Sequence, residues 1–313
     1  MKNQIGRSFV RMLALVLGVA CTQSAPAQTF KPVKVKGGAT LIQIAAGGKS
    51  VWALARSGHP YIFNGKQFVL ANNIYLCQIA VGGGNLLQPD AVWGIDCSGN
   101  VYTATKSGTT WVFSQVPGFL AGSIPGSIAV GIGYQDVCHP SEVWGLNPAA
   151  LIFRFNFCNQ NWDNVPGSLV GLAVGGGDVW GYNGVAELYR FDFSQQSFQL
   201  VTGDFGEVEQ LTVGPNGVWA SVDGGKIYGV YSYNDPYHGP RYTLDPVSGK
   251  SIQLKAGGDG VWGIGPAQQI YRLDSDLAAF VQIPGALVSI SVGSGGGVWG
   301  IDGAGKPYAF STP

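Results

Sequence analysis

The chain has 313 residues, of which 12% are charged, with 49 glycines and 18 basic groups matched by 18 acidic ones. Without its first 27 residues, which hold three basic groups and no acidic one, the chain carries a net −3, a charge that does not suit a nucleic-acid partner. Glycine at this level indicates tight turns rather than charged helical faces. His59, His139 and His238 fall in separate repeats, and no zinc spacing, phosphate loop or nucleophile elbow accompanies them, so no catalytic residue, metal or cofactor is expected.

The first segment reads as a targeting signal. Lys2, Arg7 and Arg11 form a positive region, Met12 to Ala20 is apolar, and Ala25-Pro26-Ala27 offers a small-residue cleavage site. Residues 1–27 are therefore set apart from a body of residues 28–313. The apolar run is too short to cross a bilayer, and nothing later stays apolar for about 18 residues, so no transmembrane segment is expected. Removing the leader takes away three basic groups and no acidic one, leaving 15 against 18 and a net charge of −3. The expected location is secreted or periplasmic. The alternative is a lipid anchor on Cys21, which follows the small residues Gly18-Val19-Ala20.

The body is repetitive. Val-Trp recurs at Trp52, Trp93, Trp144, Trp180, Trp219, Trp262 and Trp299, and an aromatic follows each tryptophan nine residues on, at Tyr61, Tyr102, Phe153, Tyr189, Tyr228, Tyr271 and Tyr308. A constant nine beside variable remainders marks a hairpin of fixed register, with turns such as Asp96-Cys97-Ser98-Gly99. The spacing predicts that Trp93 and Tyr102 stand directly opposite on one face. Before each tryptophan lies a short apolar alternation ending in glycine, such as Gln78-Ile79-Ala80-Val81-Gly82. After each aromatic comes a fourth run, such as Asn164-Val165-Pro166-Gly167. Four strands per repeat, here A to D, match a propeller blade.

The expected fold is thus an all-β, seven-bladed β-propeller of four-stranded blades. The seventh repeat supplies only strands A to C, while residues 29–35 read as an unattached D strand. Joining the two in one blade closes the ring and removes both exposed edges.

At the level of whole repeats the chain resembles the tectonin-type β-propeller lectins, whose units read Val-Trp-Gly, then Gly-x-Ile-Tyr-Arg, then Trp or Phe ahead of Val-Pro-Gly. The nearest copies are Val143-Trp144-Gly145 with Ile152-Phe153-Arg154, Trp162 and Val165-Pro166-Gly167, and Val179-Trp180-Gly181 with Leu188-Tyr189-Arg190. Ala53 and Ala220 replace the glycine after tryptophan, and repeat five lacks Val-Pro-Gly. The resemblance implies a ring that binds glycans without catalysis. Its familiar members often carry six repeats, so six blades is the alternative count.

Candidate contacts follow. Arg154, Arg190 and Arg272 share the slot after the strand C aromatic, where a guanidinium can hold vicinal hydroxyls, with Asp96, Asn147, Asn183 and Asp302 at the end of strand B as partners. The alternative is an ion pair knitting adjacent blades. Trp111 and Trp162 stand outside the Val-Trp series as stacking candidates, or else as packing. The partners expected are glycans, with other proteins as the alternative, bound on the face carrying the insertions at Asn85 to Asp90, Tyr134 to Glu142, Thr103 to Thr110, Asn156 to Asn161 and Tyr231 to Arg241. A scattered lyase or hydrolase site is the less favoured reading. Four cysteines remain in the body, and strand geometry pairs Cys77 with Cys97 and Cys138 with Cys158.

Overall fold

The structure, a computed structural model, describes residues 29–311 apart from 83–88, 120–126, 132–135, 202–205, 216 and 236–238. The leader, Cys21 and parts of the insertions at 85–90, 134–142 and 231–241 lie outside the described residues. Among those residues the chain is all-β but for one short 3-10 turn at Lys36–Gly38. None of its helices is long and apolar enough to cross a membrane.

Seven four-stranded antiparallel units follow one another, spanning residues 41–70, 78–119, 127–165, 171–200, 208–250, 253–286 and 289–311. Units five and six share a sheet only through one bridge between their outer strands, Ser248 with Ala279. The fourth strand of unit seven is Thr29–Pro32, which pairs antiparallel with Pro307–Ser311, Phe30 facing Phe310. The expected D strand at 29–35 is divided: Lys34–Val35 turns away and runs parallel to Gln67–Leu70, the outer strand of blade one. The two blades that meet at the seam are thus tied by one short segment.

The A strands form the inner ring, and that of blade seven, Ser289–Val292, lies against that of blade one, Leu41–Ala46. Their inner edges have no fifth strand to pair with, so side chains satisfy the backbone instead. Gln43 Nε2 donates to Ile79 O while its Oε1 accepts from Ile79 N, both at 3.0 Å. Gln78, Gln210 and Gln253 accept from Ile128 N, Leu254 N and Ile290 N in the same way, each reaching the following blade.

The B–C hairpin departs from expectation. Trp93 faces Thr103, and Tyr102 faces Gly94; the same offset by one recurs in every blade, from Ala53 with Tyr61 to Gly300 with Tyr308. The cause is the turn. Gly99 N donates to Asp96 O and Asp96 N to Asn100 O, with Gly99 at φ +89°, an odd-membered turn closed by a left-handed residue. An odd turn places residues an even number apart in register, so the tryptophan and the aromatic occupy opposite faces of the blade. The insertions at 103–110 and 231–241 are also not loops: the strands Asn100–Ser107 and Thr110–Phe119, and Lys226–Asp235 and Gly239–Lys250, pair along them as long hairpins rich in Thr, Tyr and Val.

Cys77 pairs with Cys97 and Cys138 with Cys158, at Cα separations of 5.2 and 4.9 Å. The first ties the start of strand A to the B–C turn, and the second ties two connections on the opposite face. Phe30 packs edge-on against Trp262 of blade six and beside Phe310. We expect Phe30→Ala to cost about 2–3 kcal/mol in denaturant unfolding, and deletion of residues 28–36 to lower the melting temperature further; an unchanged melting temperature on deletion would refute strand closure of the ring.

Candidate functional site

Each Val-Trp tryptophan projects from strand B toward the following blade. Trp52 meets Trp111 at 4.7 Å, Trp93 meets Phe155 at 4.8 Å, Trp144 meets Phe191 at 4.7 Å, Trp180 meets Tyr242 at 5.4 Å, Trp262 meets Phe310 at 4.7 Å and Trp299 meets Phe63 at 4.7 Å. Most are edge-to-face contacts, the geometry the ring quadrupoles favour. Trp111 and Trp162 belong to these stacks, Trp162 packing on both Trp93 and Phe155. They hold the blades together.

The arginines answer to the same stacks. Arg154 lies opposite Trp144 in the hairpin register, and both donate to Glu142, two residues before the tryptophan: Trp144 Nε1 to Oε2 at 2.8 Å, Arg154 Nε to Oε2 at 2.9 Å and Arg154 Nη2 to Oε1 at 2.6 Å. Arg154 is 3% exposed and Glu142 is fully buried. The guanidinium also lies over Trp144 and over Phe191 and Phe193 of blade four. Blade four repeats the knot with Asp178, Trp180 and Arg190, and blade six with Asp259, Trp262 and Arg272. Arg190 and Arg272 remain partly exposed, Arg190 donating onward to Tyr242 Oη at 3.2 Å.

Asp96, Asn147, Asn183 and Asp302 are not brought to the arginines. Each closes its own B–C turn, Asp96 Oδ1 accepting from Ser98 N and Asn100 N, and Asn147, Asn183 and Asp302 doing likewise. Burial raises the Asp96 pKa, but the hydrogen bonds from Asn100, Ser98 and Tyr102 outweigh it and hold the carboxyl below its usual range. These residues sit at the end of strand B, whereas the acids that meet the arginines sit at its beginning. A strand's length separates the two sets.

The repeated contacts being structural, the departures from them carry the information. Trp219 is the one Val-Trp tryptophan with no ring partner among the described residues. Blade six presents Leu273 at the position where blades three, four, seven and one place Phe155, Phe191, Phe310 and Phe63. Gly217 stands two residues before Trp219, where Glu142 and Asp178 stand before theirs, as Gly260 and Gly297 also stand before Trp262 and Trp299. Trp219 is 4% exposed, and its Nε1 is buried with no hydrogen-bond partner among the described residues. The result is a cleft of roughly 500 Å³, bounded by Trp219 and Tyr231 from blade five and by Asp259, Arg272 and Leu273 from blade six. An orphaned buried donor beside an exposed phenol ring and an ion pair is an arrangement fit to receive a neutral, hydroxyl-rich ligand. Glycine stands in the same slot at Gly260 and Gly297, so that residue alone does not mark Trp219 in the sequence.

A second space runs along the ring axis, roughly 320 Å³ walled by A strands, with Lys255 among the residues that line it.

The model of the tectonin domain matches residues 40–202 and 172–312. The chain belongs to the tectonin family. No match was found among curated proteins. Among solved structures it is similar to YCF48 from Cyanidioschyzon merolae, with a TM-score of 0.62 and 12% identity over 90% of this chain and 98% of that one. It is also similar to YCF48 bound to D1 peptide, with a TM-score of 0.61 and 16% identity over 93% and 100%. Prp20p from Saccharomyces cerevisiae follows with a TM-score of 0.61 and 10% identity over 86% and 82%. At these identities the likeness is one of fold. This tectonin propeller therefore separates two arginine environments. Glu142→Gln, which strands Arg154 in the interior, should cost about 3–5 kcal/mol of stability. Arg190→Met, at a half-exposed pair, should cost less than about 1 kcal/mol in the same denaturant titration.

Proposed function

We propose that this tectonin propeller is a non-catalytic, lectin-like binder that takes carbohydrate in the cleft between blades five and six. The observation that carries the reading is the cleft itself, which Trp219, Tyr231, Asp259 and Arg272 line and where Trp219 keeps a buried Nε1 without a partner among the described residues. An unmet donor costs about 1–3 kcal/mol, which a ligand hydroxyl or ring oxygen accepting from it would recover. Tyr231 offers an aromatic face for the apolar side of a sugar, and the Arg272–Asp259 pair offers both a donor and an acceptor for neighbouring hydroxyls. The two disulfides favour an oxidising compartment, so export and extracytoplasmic glycans fit together.

A peptide is the second reading, favoured by the fold shared with YCF48 bound to D1 peptide and by the long hairpin beside the cleft. A glycan array on the protein lacking residues 1–27 separates the two. We expect a defined set of bound glycans whose signal falls at least about tenfold, or 1.4 kcal/mol, in Trp219→Phe, because phenylalanine keeps the ring but lacks the N–H. The unfolding midpoint should stay close to that of the parent, since the variant also removes an unsatisfied donor. Glycan binding unaffected by Trp219→Phe would move the site elsewhere, and an array blank for every glycan would leave the peptide reading.

A further inference from the structure

The axial channel is lined by side chains in levels, because the seven A strands share one register with their B strands. The residues directly opposite the seven tryptophans are Ala45, Ala80, Ala129, Ala173, Thr212, Lys255 and Ser291. All seven line the same cavity. Four consecutive blades thus supply methyl groups and three consecutive blades supply polar groups, so one level of the ring has an apolar arc and a polar arc.

The polar arc consists of donors. Thr212 Oγ1 accepts from Ala256 N at 2.9 Å, and Ser291 Oγ accepts from Ala46 N at 2.9 Å, which leaves each hydroxyl its proton to give. Between them Lys255 carries three N–H donors and no acceptor, and no carboxylate is among the residues lining the cavity. Water reaches Lys255 within the channel, yet protein surrounds it, and desolvation lowers its pKa below the ordinary lysine range. Among the described residues, the lining of this cavity therefore holds one charge without a counter-charge.

We propose that the axial channel is a binding site for a short aliphatic carboxylate, whose two oxygens are received by Lys255 and the flanking Thr212 and Ser291 hydroxyls while its alkyl part lies against the alanine arc. A carboxylate matches this level better than a spherical anion does. It can accept from several donors at once and carries an apolar end for the opposite wall. The site lies on the axis, apart from the cleft between blades five and six, and does not depend on what that cleft binds.

The binding depends on pH with a fixed sign. Lys255 is the only titratable group lining the cavity; Thr212 and Ser291 on the flanking strands and the four alanines do not titrate. The bound anion favours the ammonium form, so it raises the Lys255 pKa, and affinity falls about tenfold per pH unit once the pH exceeds the Lys255 pKa of the free protein.

The test uses the protein carrying ¹³C-labelled lysine, with the Cε–Hε resonances followed by NMR. Lys255 is assigned by the resonance missing from Lys255→Met. Sodium acetate titrated at constant ionic strength against sodium chloride should shift that one resonance saturably, raise its titration midpoint and leave the other lysines in place. Isothermal titration of acetate should give heat with the parent and none with Lys255→Met. Equal shifts at all lysines, no saturable shift at Lys255, or an equal response to chloride alone would each overturn the proposal. The measurement on the parent protein stands even where the variant fails to fold.

Discussion

Neighbouring A strands approach one another closely at a level where every blade has glycine: Gly47, Gly82, Gly131, Gly175, Gly214, Gly257 and Gly293. A Cβ on Gly175 would fall within the van der Waals envelope of the Val213 carbonyl oxygen, and one on Gly293 within that of Gly47. The obstacle is backbone, which cannot swing aside as a side chain can. This spacing sets the rest. It brings each strand B tryptophan into reach of the next blade's outer aromatics, and it lets a glutamine or a hydroxyl on one A strand bond the backbone of the next. Seven such contacts must close together, so the angle between blades is a shared property of the ring and not a choice made locally.

Polar groups inside the ring are satisfied by a small set of devices used repeatedly. Glutamines cover the inner edges of the A strands, acids bridge indole and guanidinium, and Asx side chains close the B–C turns. Two departures from that regularity border cavities. At Trp219 the facing aromatic is replaced by Leu273, which leaves a cleft beside a donor with no acceptor among the described residues. At Lys255 an ammonium replaces the small residue that the other six blades place at the same level. Repetition supplies the background against which a single altered residue gains chemical meaning.

Much of the architecture was legible in the sequence, because a repeat states its own register. Val-Trp, the interval of nine and the trailing glycines located the blades, and the position of Thr29–Pro32 relative to Pro307–Ser311 marked the seam. The disulfide pairing followed from the same strand assignment. The error of one in the hairpin came from the turn, since Asp96 to Asn100 can be read as even- or odd-membered until the left-handed Gly99 is seen. The slot of the arginines is legible in the repeat but their partners are not: Glu142, Asp178 and Asp259 precede the tryptophan, and the strand's direction, not proximity in sequence, decides which end an arginine reaches. Trp219 and Lys255 escaped notice because they are conspicuous only when the seven blades are laid over one another and compared level by level.

The seam has a consequence for how the chain comes to be folded. Thr29–Pro32 is the first described strand to be synthesised, and its partner Pro307–Ser311 is the last. Blades two to six can each pair internally as they emerge, through hairpins of short reach, but blade seven must recruit a strand from the far end of the chain. Until that happens blade one is tethered to an unmatched segment and the inner ring has a gap between Ser291 and Ala46. The final contact to form is also the one that spans the whole sequence, so a chain interrupted before its end retains most of its local structure yet cannot lock.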